Sequence, residues 1–460
     1  MKELNYITLI GLHVIIGLAI FSFPFLSKIY FIGILAFFSY AIFYSSPSLK
    51  GLVILKASGY IVGAEVLLRM TDGSFLYEAS KYSVILFCLI GVLTMRVNRL
   101  SITYILYIVF LIPGILVAGF NMGEQTVIRK AIAFNLSGPV CLGIAAIFCF
   151  KRKISLAHIQ EVLLSMALPL IAMSTYLFLF TPDLRDTITG TGSNYATSGG
   201  FGPNQVSTVL GIAMFIFSIR LFMLSPSLLL KLINAILLAA VSFRGIVTFS
   251  RGGVITALFM ISAFIVLYFN KVNRKAKFRI STTVLLFASL GIAVWLISSI
   301  QTNGFIDKRY ANEDALGREK LDITTGRSEL IAFEVDQFLS NPIFGVGVGK
   351  IKELRFERYG YVAASHNEMS RILSEHGLFG IIAILILLIT PLVLRMRNNS
   401  NIFFYSFYLF WLLTINHSSM RIAAPAFVYA LCLLEIQCKN KNSRKASLKR
   451  LEKSSSKLIV

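Results

Sequence analysis

Residues Ile280 to Ile300 read ISTTVLLFASLGIAVWLISSI, and Gln301 to Lys320, which follow directly, read QTNGFIDKRYANEDALGREK. The first stretch carries no charge and has the length a helix needs to cross the hydrocarbon core of a bilayer, about 20 residues. The second turns abruptly polar. Together they predict a membrane span that opens into a large connection on one face.

Runs of comparable length recur along the chain, near 6–25, 29–47, 51–69, 82–95, 101–120, 131–150, 161–180, 205–223, 228–248, 252–270, 376–394, 402–417 and 420–436. With 280–300 they make about fourteen spans, or twelve if the short runs near 82–95 and 402–417 do not cross. Composition agrees. Of 460 residues, 56% are hydrophobic and 14% charged, and the mean hydropathy is +0.76. Soluble proteins carry about 25% charged residues. The expected fold is an all-α integral membrane protein, a polytopic bundle of 12–14 transmembrane helices with a large, partly helical loop on the exported face. The first run leads straight into the second without a small-residue cleavage site, so it reads as a retained span.

The net charge of +22 would suggest nucleic acid in a soluble protein. Here the basic residues sit beside apolar runs, as topology signals do, so nucleic acid is not an expected partner. Arg96 and Arg99, Lys151 to Lys153, Lys271 to Arg279, Arg395 with Arg397, and the tail from Lys439 to Lys457 all fall on one side under strict alternation. That side is then cytoplasmic, with both termini on it. The long opposite connection, residues 301–375, holds ten Lys and Arg against twelve Asp and Glu between Asp307 and Glu375. The basic tail, 437–460, has two readings: contact with anionic membrane lipid, or a solvated segment that only enforces topology. Domain boundaries follow: N-terminal helices 1–200, a core of 201–436 that includes the 301–375 loop, and the tail.

Four polar features converge on the exported side. Phe249 to Gly253 reads FSRGG, and Arg244 and Arg251 flank the turn between two spans. A guanidinium can grip a phosphate with two hydrogen bonds, and glycine lets backbone approach a ligand; the competing reading is a snorkelling interfacial arginine. Thr324 to Lys350 reads TTGRSELIAFEVDQFLSNPIFGVGVGK, a turn leading into an amphipathic helix that Asn341-Pro342 closes. Its GVGVG lacks dinucleotide-fingerprint spacing and reads as a flexible stretch near the membrane. Arg327 either binds phosphate or pairs with Glu329 or Glu334 on a helix surface. Ala363 to Gly380 reads AASHNEMSRILSEHGLFG, with His366 just before a helix that re-enters the membrane and Asn367 and Arg371 close behind. An imidazole there can take a proton from an attacking hydroxyl or serve as an interfacial anchor. Ser198 to Gly211 reads SGGFGPNQVSTVLG, in which Asn204 and Gln205 either line a substrate groove or belong to a plain connection.

Cysteine and carboxylate patterns add little. No CxxC pair occurs among Cys88, Cys141, Cys149, Cys432 and Cys438, and no clustering of acids with His or Cys names a metal. The exported connection Pro24 to Lys28 has no carboxylate, whereas metal-dependent membrane glycosyltransferases of the oligosaccharyltransferase type place acidic ligands there. Neither metal nor cofactor is expected.

SRGG at Ser250 to Gly253, TGR at Thr325 to Arg327, NPIFGVGVG at Asn341 to Gly349, and HN with EHGLFG around His366 and Glu375 to Gly380 follow one another in an order that resembles the O-antigen ligase and O-antigen polymerase superfamily. The similarity covers roughly residues 200–395. It implies a type C glycosyltransferase-like fold in the bacterial inner membrane and a metal-independent, inverting transfer at the periplasmic face. The donor would be a glycan on undecaprenyl diphosphate. The acceptor would be a hydroxyl of lipid A core sugars in a ligase, or of the growing glycan in a polymerase, with the ligase branch the closer match. By position, Arg251 and Arg327, with Arg244, would bind the donor diphosphate and His366 would act on the acceptor hydroxyl. The family often carries a tryptophan in the helix after Arg327; here Leu330 to Phe333 has none. A flippase or transporter of lipid-linked sugar is the reading from a different class. It would need polar residues at mid-membrane, as Lys56 and Glu65 weakly supply, and an internal repeat, of which the sequence shows none.

Overall fold

In lipid no water can satisfy a backbone amide, so each apolar run must bond to itself as a helix. The computed structural model of the chain, which describes residues 3–123, 127–320, 326–361, 363, 365–397 and 400–437, has that form. Along the first half run α1 Glu3–Ser22, α2 Leu26–Tyr44, α3 Pro47–Met70, α4 Ala79–Thr94, α5 Ile102–Val109, α6 Ile112–Asn121, α7 Ile128–Cys149 and α8 Leu156–Phe180. Then come α9 Pro203–Met223, α10 Leu228–Ile246, α11 Arg251–Lys271 and α12 Arg274–Gln301. The connection that follows folds as α13 Phe305–Tyr310, α14 Arg327–Ser340 and α15 Lys350–Tyr359, and the chain returns through α16 Glu368–Arg397, α17 Phe404–His417 and α18 Ala423–Leu431.

Among the described residues, eleven helices are long and apolar enough to cross a membrane, with α5 and α6 counted together. The protein is an all-α multi-pass membrane protein. The short runs in the sequence become the 16-residue α4 and the 14-residue α17. The last expected span, 420–436, is helical only over Ala423–Leu431; beyond a turn, strand β2 (Glu435–Gln437) pairs in parallel with β1 (Lys153–Ser155). Every residue of α18 is buried. Protein rather than lipid surrounds it, so its backbone is free to leave the helix where neighbours supply partners. Thr324, Thr325, Cys438 and the basic tail from Lys439 lie outside the described residues.

Burial sorts the helices. The most apolar window of α9 is 89% buried and that of α12 is 11% buried, so α9 is a central post and α12 stands against lipid. Around α9 pack α10 and α11; α3 pairs with α8, and α7 with α18. Inside this core several charges are paired. Glu65 of α3 accepts from Arg69 at 2.6 Å and from the amide of Ala423 at 2.6 Å, while outside the core Lys56 meets Glu161 at 3.2 Å. Lys81 pairs with Glu78 and donates to the Met420 carbonyl at 3.4 Å. Glu65, Arg69 and Lys81 therefore hold the α17 to α18 connection from beneath.

Candidate functional site

The connection from 302 to 367 caps one face of the bundle, the loop face. It is seated by the turn before α11. Phe249 takes φ 59°, and Ser250 is fastened to α9: its carbonyl accepts from Ser207 Oγ and its hydroxyl donates to Asn204 Oδ1, both at 2.7 Å. A Cβ on Gly252 would fall 2.5 Å from Cδ2 of His417, so only glycine lets α11 start this close to α17. From α13, Arg309 Nε donates to the Phe249 carbonyl at 3.0 Å, and Arg251 Nη1 donates to the Arg309 carbonyl at 3.3 Å. Lys320 reaches Thr191 Oγ1 at 2.7 Å.

Arg251, Arg309 and Lys320 thus gather with Arg327, four cations in all. Burial, then the charges of Arg251 and Arg327, hold Arg309 below the usual guanidinium range. Burial and then Arg251 act the same way on Arg327, and burial and then Arg309 lower Lys320. Positive charge concentrated in a half-buried place is costly until an anion enters, so the cluster has the chemistry of a phosphate site.

His366 lies beside this cluster in a cleft walled by Arg327, Leu330, Glu334, Ser365, Asn367 and Asn416. Its backbone is clamped. Arg421 Nη2 donates to the Ser365 carbonyl at 2.6 Å, Ser419 Oγ adds a bond at 3.3 Å, and Asn367 Oδ1 caps α16 by accepting from the amides of Met369 and Ser370. Arg421 is anchored in turn by its own carbonyl, which accepts from Arg69 at 3.0 Å. Burial lowers the imidazole pKa to about 4, helped by Arg421, Arg327, Arg355 and His417, so it is neutral at ordinary pH. Nδ1 of His366 is buried without a hydrogen-bond partner.

Beneath the cleft lies a layer of buried ion pairs. Glu334 of α14 pairs with Arg355 of α15 and accepts from Ser370 Oγ, and Arg355 also donates to the carbonyls of Leu330 and Ala363 at 3.1 and 3.0 Å. Arg371 is shared by Glu368 and Glu375, the latter at 2.5 Å. The GVGVG segment is not the open, flexible stretch its glycines suggested. Residues 345–349 are buried, with the amides of Val346, Gly347 and Val348 on the carbonyls of Ser374, Glu375 and Gly114, and that of Gly349 on Glu375 Oε1 at 2.8 Å. Gly377, at φ 58° and ψ −134°, kinks α16 at this level, a conformation open to glycine alone. Most of residues 350–361, without a role in the sequence, form α15 (Lys350–Tyr359), which brings Arg355 to Glu334.

This layer makes a stability prediction. Glu334→Ala leaves Arg355 buried and unpaired and should cost about 3–5 kcal/mol. Thermal unfolding of the detergent-solubilised protein measures it. Pairing the change with Arg355→Leu should recover much of the loss, and a double variant no better than the single one would contradict the pairing.

Of the residues singled out in the sequence, Arg251, Arg327, His366 and Asn367 come together. Asn204 supports the group through Ser250, and Arg371 lies in the ion-pair layer below it. Gln205 faces Arg69 instead, at 3.4 Å. Arg244 is fully buried: its Nη2 donates to the Thr197 carbonyl at 2.8 Å and its guanidinium lies 5.3 Å over the Phe178 ring, an arrangement that braces the 194–198 connection. Arg309 and Lys320 join the cluster from a mixed-charge stretch, with DKRY at 307–310, that resembles an ordinary solvated connection, and His417 and Arg421 join it from the facing ends of the apolar runs 402–417 and 420–436. Among the described residues, no group of three His, Cys, Asp or Glu side chains gathers as a metal site would.

The chain is thus a multi-pass helical membrane protein with a helical cap on one face and a cationic cluster beneath it. Residues 233–385, from α10 into α16, match the family described as O-antigen ligase. The resemblance read from the motifs is thereby borne out over this third of the chain, by a family that in general comprises membrane enzymes transferring lipid-linked glycans. The matched span includes Arg251, Arg309, Lys320, Arg327 and His366 but stops short of Arg421. No curated protein matches the chain.

Proposed function

We propose that the protein is an inverting, metal-independent glycosyltransferase of the bacterial inner membrane, with the loop face periplasmic and both termini cytoplasmic. The donor is a glycan on undecaprenyl diphosphate. The acceptor is a hydroxyl of lipid A core sugars, as in an O-antigen ligase; polymerisation of the glycan itself is the second reading. One observation carries this best: a neutral, clamped His366 shares a cleft with Arg327 at the edge of a cluster containing Arg251, Arg309 and Lys320.

The chemistry balances on these residues. The acceptor oxygen attacks the anomeric carbon and loses its proton to His366, while the anomeric C–O bond breaks and its electron pair stays on the diphosphate. Arg251, Arg309 and Arg327 stabilise the growing negative charge, the work a metal does in other transferases. In this reading Arg244 sets the neighbouring loop, and the core extends over 201–436 beyond helices 1–200.

Deleting the gene and analysing the glycans tests this and separates the branches. Full-length polymer left on undecaprenyl diphosphate is the expected result for a ligase, and single repeat units for a polymerase. Unchanged surface glycan would refute the proposal. Lipid-linked units stranded on the cytoplasmic leaflet would point to a flippase.

A further inference from the structure

A second cleft opens on the loop face between α7, the start of α16 and the connection after α17. Its walls include Phe134, Asn135, Ser365, Glu368, Ser419 and Arg421. Ser365 belongs to both clefts, so the two meet at the residue immediately before His366. Their chemistry differs. Arg327 and the neighbouring cations make the first suited to an anion. In the second, the carboxylate of Glu368 is already engaged by Arg371 and by the Met420 amide at 3.3 Å, and Arg421 is occupied with the Ser365 carbonyl. What remains is a wall of mixed polarity made of an amide, hydroxyls and ion-paired groups. Such a wall matches ligands whose hydroxyls both donate and accept.

The cleft also has an aromatic edge. Phe134 is 38% exposed and stands 6.2 Å, centroid to centroid, from the ring of Tyr77, itself 47% exposed and covered on one side by Arg69 at 4.1 Å. Rigid aromatic faces beside short polar groups cover the C–H face of a pyranose while its hydroxyls find partners below.

We propose that this cleft seats the terminal neutral sugar of the acceptor and presents one of its hydroxyls to His366 across Ser365. The inference rests on the glycan-transfer reading above. It divides the loop face into a side for the anionic donor and a side for the acceptor sugar that share the segment carrying the histidine.

Transfer by the purified full-length protein in lipid nanodiscs tests it. The donor is undecaprenyl-diphosphate glycan extracted from the parent bacterium, and the acceptor is its lipid A core or, for a polymerase, its lipid-linked repeat unit. Phe134→Ala and Asn135→Ala should each raise the acceptor KM about tenfold, the scale of one lost contact, while the donor KM stays within twofold. Phe134→Trp keeps a ring face and should keep the acceptor KM near that of the wild type. Monodisperse elution of each variant shows that it is folded. An unchanged acceptor KM in folded variants, or an effect that falls on the donor KM, would overturn the acceptor assignment even if the transfer reading stands. Absence of transfer by the wild type with both acceptors would overturn the transfer reading instead.

Discussion

His366→Ala should lower glycan transfer by about 10²–10⁴-fold, the usual contribution of a general base, while membrane insertion and abundance stay at wild-type levels. The residue sits in the connection before α16, where its backbone is held by Arg421 and capped by Asn367, so truncating the side chain leaves the clamp in place. Transfer assayed against equal amounts of membrane-inserted protein measures the effect. Full activity would sink the catalytic role. The same group sets a pH dependence. Only the neutral imidazole accepts a proton, and burial with Arg421, Arg327 and Arg355 lowers its pKa to about 4, so activity is lost as pH falls through that value. A diphosphate bound at Arg327 would oppose that positive field and strengthen the base. The acid limb of kcat, which reports the complex, should therefore lie at higher pH than that of kcat/KM, which reports the free enzyme. Coincident limbs would mean that the phosphates do not sit beside the imidazole.

The second large effect belongs to Arg327. In the proposed reaction Arg327→Ala removes a donor to the charge that develops on the leaving group, an expected loss of about 3 kcal/mol or a hundredfold or more in kcat. Arg327→Lys keeps the charge and loses the two-pronged geometry, so it should fall between alanine and the wild type. Arg251→Ala should act in the same direction, because Arg251 and Arg327 lie in one positive field and burial with their mutual repulsion lowers Arg327. Arg244 offers the contrast. It is fully buried and spends its guanidinium on the Thr197 carbonyl and the Phe178 ring, so Arg244→Ala should reduce abundance more than turnover per folded molecule. An Arg244→Ala protein that is abundant but inactive would move this arginine into the donor site.

Much of the architecture is legible in the residues. Uncharged runs of span length, interrupted by basic clusters, lead to a multi-pass bundle because lipid leaves a polar backbone no alternative to the helix. Local motifs also mark the right places: FSRGG at the start of α11, TGR at the start of α14 and HN at the start of α16. Each is a helix start with a residue type that suits its position, so a short window suffices to see it. The same windows mislead at GVGVG, whose glycines look mobile but are packed backbone, and at 420–436, whose apolar run passes from helix to strand.

The sequence by itself thus determined the helical membrane fold, the single large capped face, and Arg251, Arg327 and His366 as the residues worth asking about. Tertiary structure decided which side chains stand together. It drew in Arg309, Lys320 and Arg421 from connections far apart in the chain, turned Arg244 inward, and set a mixed-polarity cleft on the other side of Ser365. The physical reason is range. Hydropathy and helix starts depend on a few consecutive residues and the solvent around them, whereas a shared electrostatic field depends on distances of a few ångströms that only the packed helices create.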